Sequence, residues 1–181
     1  MQSVIENGNV RLKVCQASDS LVTEMFNNWA SDEATFKTLS SNPITSLDAT
    51  RKVIENSYNA FVSSDFYRYV IFFKEDAVGF ITITPRKIGQ GNDAVNANEI
   101  GLSIGSKFWR LGIGYNAIQT ILSCLDEGTI VFATVKDGNI ASNKLFEKCG
   151  FVFTSYCKRK DVYAGTNLKP DDNCYLYVFE G

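Results

Sequence analysis

The sequence predicts a mixed α/β fold: one twisted sheet of about seven strands with helices on both faces, in a single domain over residues 1–181. Three observations predict it. The apolar pattern changes period repeatedly, giving the order β-α-α-β-β-β-α-β-α-β-β, which mixes hairpins with strand–helix–strand crossovers. The segment EIGLSIGSKFWRLGIGYNAIQTIL, Glu99 to Leu122, reads as a strand, a glycine turn and an amphipathic helix. A chain of 181 residues that is 45% hydrophobic is long enough for a proper core, and it carries no repeat, low-complexity tract or linker.

The elements follow in order. Val10–Cys15 reads as a strand. Ser18 or Asp19 caps a helix with the stripe Val22, Met25, Phe26 and Trp29. Ser31–Pro43 is polar and irregular, a helical turn and a loop. Ser46 caps a second helix with Leu47, Ile54, Tyr58 and Phe61 on one side. Tyr67–Phe73 and Ala77–Thr84 are β-rich runs joined at Lys74-Glu75-Asp76, a hairpin. A loop rich in Gly, Asn and Asp covers Ile88–Asn96. In the strand Asn98–Ile104, Ile100, Leu102 and Ile104 face one way and Glu99, Gly101 and Ser103 the other. The helix after the glycine turn buries Ala117, Ile118, Ile121, Leu122 and Leu125. Thr129–Val135 is a buried type of strand. Asn139 caps a helix reaching Cys149, with Ala141, Leu145 and Cys149 in one stripe and Gly150 at C′. Phe151–Tyr156 and Asn173–Phe179 are the last strands.

Composition excludes several classes of function. There is no histidine, which removes Ser-His-Asp and Cys-His hydrolases and histidine-ligated metals. Proton transfer must use carboxylates, tyrosines, hydroxyls, water or a thiol. The five cysteines are odd in number and form no C-x-x-C pair, which argues against a disulfide framework or zinc site and for a reducing cytoplasm. A net charge of −2 gives no reason to expect nucleic acid or an anionic membrane as partner. The N-terminus lacks the pattern of a signal peptide, and no run approaches a membrane span.

The chemistry concentrates at Trp109-Arg110-Leu111-Gly112-Ile113-Gly114. Backbone N–H groups at a helix start are unpaired and the helix dipole is positive there, so a strand-turn-helix of this kind is an anion site. Gly112 and Gly114 let a phosphate approach. The expected ligand is a diphosphate-bearing cofactor. Gly112 to Ala117 also satisfies G-x-G-x-x-A, and Asp137 ends the next strand, as in dinucleotide binding by a nicotinamide oxidoreductase. Against that reading, Gly105–Leu111 intervenes between Ile104 and Gly112, and too little chain follows for a second mononucleotide half.

A second motif, NIASNKLFEKCGF from Asn139, begins one strand later. With EIGLSIGSKFWRLGIG and IVFATV, it makes the chain resemble the GNAT superfamily of acyl-CoA N-acyltransferases over about residues 10 to 180. Trp109 and the run VRLKVCQASDSLVTEMFNNWASDE are similar to the Rim-type branch, which includes the ribosomal-protein-alanine N-acetyltransferases. The resemblance implies acetyl-CoA as co-substrate, no metal, and a primary amine as acceptor, either a protein N-terminus or a small molecule. It implies that the turn from Trp109 through Arg110, Leu111, Gly112 and Ile113 to Gly114 wraps the coenzyme A pyrophosphate, with Arg110 adding a charged contact. It implies that the strand end Leu102, Ser103 and Ile104 splays from the next parallel strand, pairs with pantetheine and offers an N–H to the thioester oxygen. Asn139 is expected to bond the pantetheine amides, Ser142 to protonate the leaving thiolate, and Glu99 to act as base through a water. The chain departs from the family in two places: Phe146 stands where many members carry an acidic tyrosine, and Val152–Tyr156 contains no glutamate. The departures keep a catalytically silent acyl-CoA-binding protein as the alternative. Trp29, Phe36, Tyr67, Tyr69 and Phe108 are candidates to line the acceptor groove, with most of them read as core.

Overall fold

Eight strands share one sheet in the order β1-β2-β3-β4-β5-β6-β8-β7. They are β1 (Val4–Asn7), β2 (Val10–Lys13), β3 (Tyr67–Phe73), β4 (Asp76–Ile88), β5 (Val95–Ile104), β6 (Ile130–Lys136), β7 (Val152–Lys158) and β8 (Asn173–Glu180). The helices are α1 (Asp19–Met25), α2 (Glu33–Lys37), α3 (Leu47–Ser63), α4 (Ile113–Leu122), α5 (Ile140–Lys148) and α6 (Arg159–Val162). The computed structural model describes residues 1–39, 41–63, 66–89, 93–163 and 172–181. The sheet is mixed: β5 and β6 are parallel, whereas β6–β8 and β7–β8 are antiparallel. The chain forms two compact units, residues 1–82 with 102–124 and residues 83–101 with 125–181. Strands β4 and β5 each begin in one unit and end in the other.

In the first unit, β1, β2 and β3 pair antiparallel, with Val10 opposite Phe73 and Leu12 opposite Ile71. Helix α1 starts where Ser18 Oγ accepts the Leu21 N–H, 3.3 Å away. It runs into a π-helical turn, Phe26–Ala30, in which the Ser31 N–H reaches back to the Phe26 carbonyl. Val22, Met25 and Trp29 are buried as the period predicts, together with Ile54, Val70, Ala77 and Phe80. Ser46 caps α3 by accepting the Ala49 N–H at 3.1 Å. The buried face of α3 is Thr50, Ile54, Ser57 and Ala60, whereas Leu47 is exposed. The stripe is rotated from the expected one because Thr50 and Ser57 turn their hydroxyls onto the Ser46 and Val53 carbonyls of their own helix, so both can be buried. Helix α4 packs on β1 and β2 and buries Ile113, Ala117, Ile118 and Ile121.

In the second unit, Phe132, Ala97, Val162, Tyr163 and Cys174 form one core cluster. Around α5, Phe146 meets Phe151 edge-on at 5.1 Å and stacks on Tyr177 at 6.3 Å. The helix ends in a Schellman motif. Gly150 adopts φ 93°, its N–H bonds the Glu147 carbonyl, and the Phe151 N–H bonds the Phe146 carbonyl. Helix α5 buries Phe146, its C-cap Cys149 is buried as well, and Ala141 is exposed.

Two elements were not anticipated: β1, four mostly exposed residues without alternation, and the short α6. The loop expected over Ile88–Asn96 contracts, since β4 runs through Ile88 and β5 starts at Val95. Residues 90–92 lie outside the described residues. Among the described residues, no helix is long and apolar enough to cross a membrane.

Candidate active site

The glycine turn lies wholly in the first unit. Strand β5 ends at Ile104, a 3-10 turn covers Ser106–Phe108, and Gly112 is the N-cap of α4 with φ 76°. Arg110 also has positive φ, 62°. Left-handed residues this close together are the backbone element from which N–H nests for anions are built. The first helical bond runs from Asn116 N–H to the Gly112 carbonyl. Among the described residues, the N–H groups of Leu111, Gly112, Ile113 and Gly114 meet no acceptor. The Arg110 side chain is exposed and, among the described residues, forms no ion pair. A Cβ at Gly112 would meet nothing within 4 Å, so the space above the turn is open.

The end of β5 is held by side chains from the α1–α2 region. Trp29, 7% exposed, donates its indole N–H to Ser103 Oγ at 2.6 Å. The Ile104 carbonyl accepts from Trp109 Nε1 at 2.7 Å and lies 3.0 Å from Thr35 Oγ1, whose single hydroxyl hydrogen it shares with the Asp32 carboxylate. Trp109 therefore spends its one polar group inside the turn and exposes its ring. Phe36 and Tyr69 are buried with Trp29, which places all three in the core.

Asp32 joins α2 to this turn. It caps α2 through the Ala34 N–H and accepts from Thr35 Oγ1 at 2.8 Å and from the Ser106 N–H. Burial favours the neutral acid, but the N–H and hydroxyl donors of Ser106, Thr35 and Ala34 outweigh it and hold the carboxyl below its usual range. Asp32→Ala should cost about 1–2 kcal/mol at pH 7. The folded pKa lies below the unfolded value, so this stabilisation is complete above about pH 4 and fades as pH falls through the folded pKa. Urea midpoints at pH 7 and pH 3 check this: the gap between wild type and variant should narrow at the lower pH.

In the second unit, Glu99 is half-buried and fully engaged. Its Oε1 accepts the hydroxyls of Tyr163 and, at 3.2 Å, Thr134, and its Oε2 accepts Arg86 Nε at 3.3 Å. Burial first, then the Glu99 charge, push the Tyr163 hydroxyl pKa far up, so Tyr163 stays protonated and donates. Thr134 Oγ1 also accepts from buried Arg159, whose guanidinium pairs with Asp172 at 3.0 Å. Sequence reasoning placed Glu99 at the start of the strand, on the face shared with Gly101 and Ser103, and missed these partners. They lie 13, 35 and 64 residues away and carry no local signal.

Asn139 caps α5, its Oδ1 accepting the Ser142 N–H at 3.1 Å. Ser142 is half-buried in the first turn. Next to it, Asn143 Oδ1 is buried and has no hydrogen-bond partner among the described residues. Sequence reading passed over this acceptor because it followed only the Asn139 and Ser142 positions. Phe146 is 5% exposed between Phe151 and Tyr177, so the family's tyrosine position here is filled by a core ring.

No curated protein sequence matches the chain. Solved structures resemble it closely in fold. The microcin C7 self-immunity acetyltransferase MccE, determined with acetyl-CoA and AMP, is 17% identical with TM-score 0.74, covering 97% of this chain and 94% of that one. The ribosomal L7/L12 α-N-protein acetyltransferase RimL, determined with coenzyme A, is 17% identical with TM-score 0.74, covering 98% and 97%. An acetyl transferase of Salmonella typhimurium that modifies the N-terminal serine of ribosomal protein L7/L12 is 18% identical with TM-score 0.73, covering 98% and 99%. The acetyltransferase (GNAT) domain model matches residues 11–152, most of the chain, and by that match the chain belongs to the GNAT acetyltransferase family.

Proposed function

We propose that this chain, as a single domain over residues 1–181, is an acetyl-CoA-dependent N-acetyltransferase acting on a primary amine by direct attack. The observation that carries this reading is the row of N–H groups from Leu111 to Gly114 that meet no acceptor among the described residues, beside an Arg110 that forms no ion pair among them. That is the donor set a diphosphate requires. Two solved structures of the same fold, MccE and RimL, hold acetyl-CoA and coenzyme A respectively.

The amine nitrogen attacks the thioester carbonyl carbon, the C–N bond forms, and the C–S bond breaks. An N–H near Leu102 and Ser103 stabilises the oxyanion. Direct attack needs a neutral amine. A terminal α-amine, with pKa about 8, asks less of a base than a lysine at about 10. Glu99 takes the amine proton through a water, and Ser142 protonates the thiolate. Asn139 bonds the pantetheine amides. Its Oδ1 already serves the helix cap, so its side-chain amide nitrogen donates to a pantetheine carbonyl.

The buried Phe146 favours a second reading, a protein that binds acyl-CoA without turning it over. Thiol release from acetyl-CoA across a panel of amines separates the two. The transferase reading expects amine-dependent thiol release. Tight coenzyme binding without release from any amine would favour the binder.

A further inference from the structure

The Trp29–Ser103 hydrogen bond has a fixed direction. An indole N–H can only donate, so Ser103 Oγ is the acceptor across 2.6 Å. The Ser103 hydroxyl hydrogen is then uncommitted, and among the described residues no acceptor takes it. A hydroxyl that accepts one hydrogen bond becomes a better donor for the next.

The backbone beneath this hydroxyl is tightly fixed. The following carbonyl, Ile104, is clamped by Thr35 and Trp109. The next amide, Gly105, donates to the Val78 carbonyl at 2.9 Å. A Cβ at Gly79 would lie 2.0 Å from the Ser103 carbonyl oxygen, and one at Gly105 would lie 1.8 Å from the Asn28 carbonyl oxygen. Strand β4 and the π-helical turn therefore press against the strand end with no slack. Asn28 is itself locked, donating to the Ala77 carbonyl at 2.9 Å and accepting from Lys107 at 2.6 Å. A π-helical turn is costly, and here it seats both Asn28 and Trp29 against this strand end.

We propose that the Ser103 side chain is a donor to the reacting thioester oxygen, additional to the backbone N–H, and that Trp29 is the positioning residue that polarises and aims it. The assignment rests on the transferase reading above. The hydroxyl lends a hydrogen bond to the oxyanion as the amine adds, and it keeps its proton. A donor held before reaction needs no reorganisation when charge develops, so its contribution falls on kcat rather than on coenzyme binding.

Steady-state kinetics with acetyl-CoA and the best amine of the panel, together with thermal melting, test this on wild type, Ser103→Ala, Ser103→Thr, Trp29→Phe and Trp29→Phe/Ser103→Ala. Each of Ser103→Ala and Trp29→Phe should lower kcat about tenfold and leave the KM for acetyl-CoA within about twofold. The double variant should fall no lower than Ser103→Ala alone, because the pair acts as a unit. Ser103→Thr, which keeps the hydroxyl, should recover most of kcat. An active wild type whose Ser103→Ala variant keeps its kcat would overturn the proposal and spare the transferase reading. So would losses that multiply in the double variant, or a lowered melting temperature at unchanged kcat. A wild type that releases thiol with no amine would remove both.

Discussion

Glu99→Gln should lower kcat about a hundredfold, the lower end of what a positioned general base contributes. The KM for acetyl-CoA should change less than about twofold, because the glutamate lies outside the glycine turn that is proposed to hold the coenzyme. Glutamine matches the shape of glutamate, and its oxygen can still accept from Tyr163 and Thr134. Its amide nitrogen then faces Arg86, donor against donor, so some stability is lost as well. A melting curve alongside the kinetics separates the two effects. A base removed from the mechanism changes the pH–rate profile, whereas a purely structural carboxylate lowers the melting temperature and leaves that profile as it was. An unchanged profile would take Glu99 out of the chemistry.

Gly112→Val should weaken acetyl-CoA binding at least about tenfold while the fold persists. At φ 76° a side chain costs about 1–2 kcal/mol, and a β-branched one is strained further. The new atoms meet nothing within 4 Å, so no clash unfolds the domain. The chain relieves its strain by rotating the turn, which swings the N–H groups of Gly112, Ile113 and Gly114 out of register with a phosphate. Gly112→Asn should lie between wild type and valine, since asparagine tolerates the left-handed region. Calorimetric titration with acetyl-CoA measures the order, and circular dichroism confirms the fold. Equal affinity in the valine variant would show that the turn holds no phosphate.

Features set by a few neighbouring residues were legible in the sequence. The caps at Ser18, Ser46 and Asn139 each depend on one side chain and one N–H three residues on, and all three formed as expected. Gly150 took its left-handed place for the same reason. Helix faces were less legible. Buried Thr50 and Ser57 read as polar until their hydroxyls are seen bonding their own helix, and Leu47 read as core although it is exposed at the start of α3. Strand β1 was invisible because four mostly exposed residues carry no alternation.

At the candidate site the contrast is sharper. The glycine turn was read correctly as a turn into a helix, because positive φ at Gly112 is a local demand. The surroundings of Glu99 and the Trp29–Ser103 bond join residues up to 74 apart, and only the folded sheet brings them together. Sequence pattern named Ser103 for its backbone and Trp29 for its ring. Their hydrogen bond makes the two side chains a pair.

Main-chain donors at the start of α4 that meet no acceptor among the described residues carry the coenzyme assignment, and a crystal grown with acetyl-CoA tests them directly. The account predicts diphosphate oxygens within hydrogen-bond distance, about 3 Å, of the N–H groups of Gly112, Ile113 and Gly114. A bound coenzyme whose phosphates lie elsewhere, with those N–H groups facing only water, would contradict it.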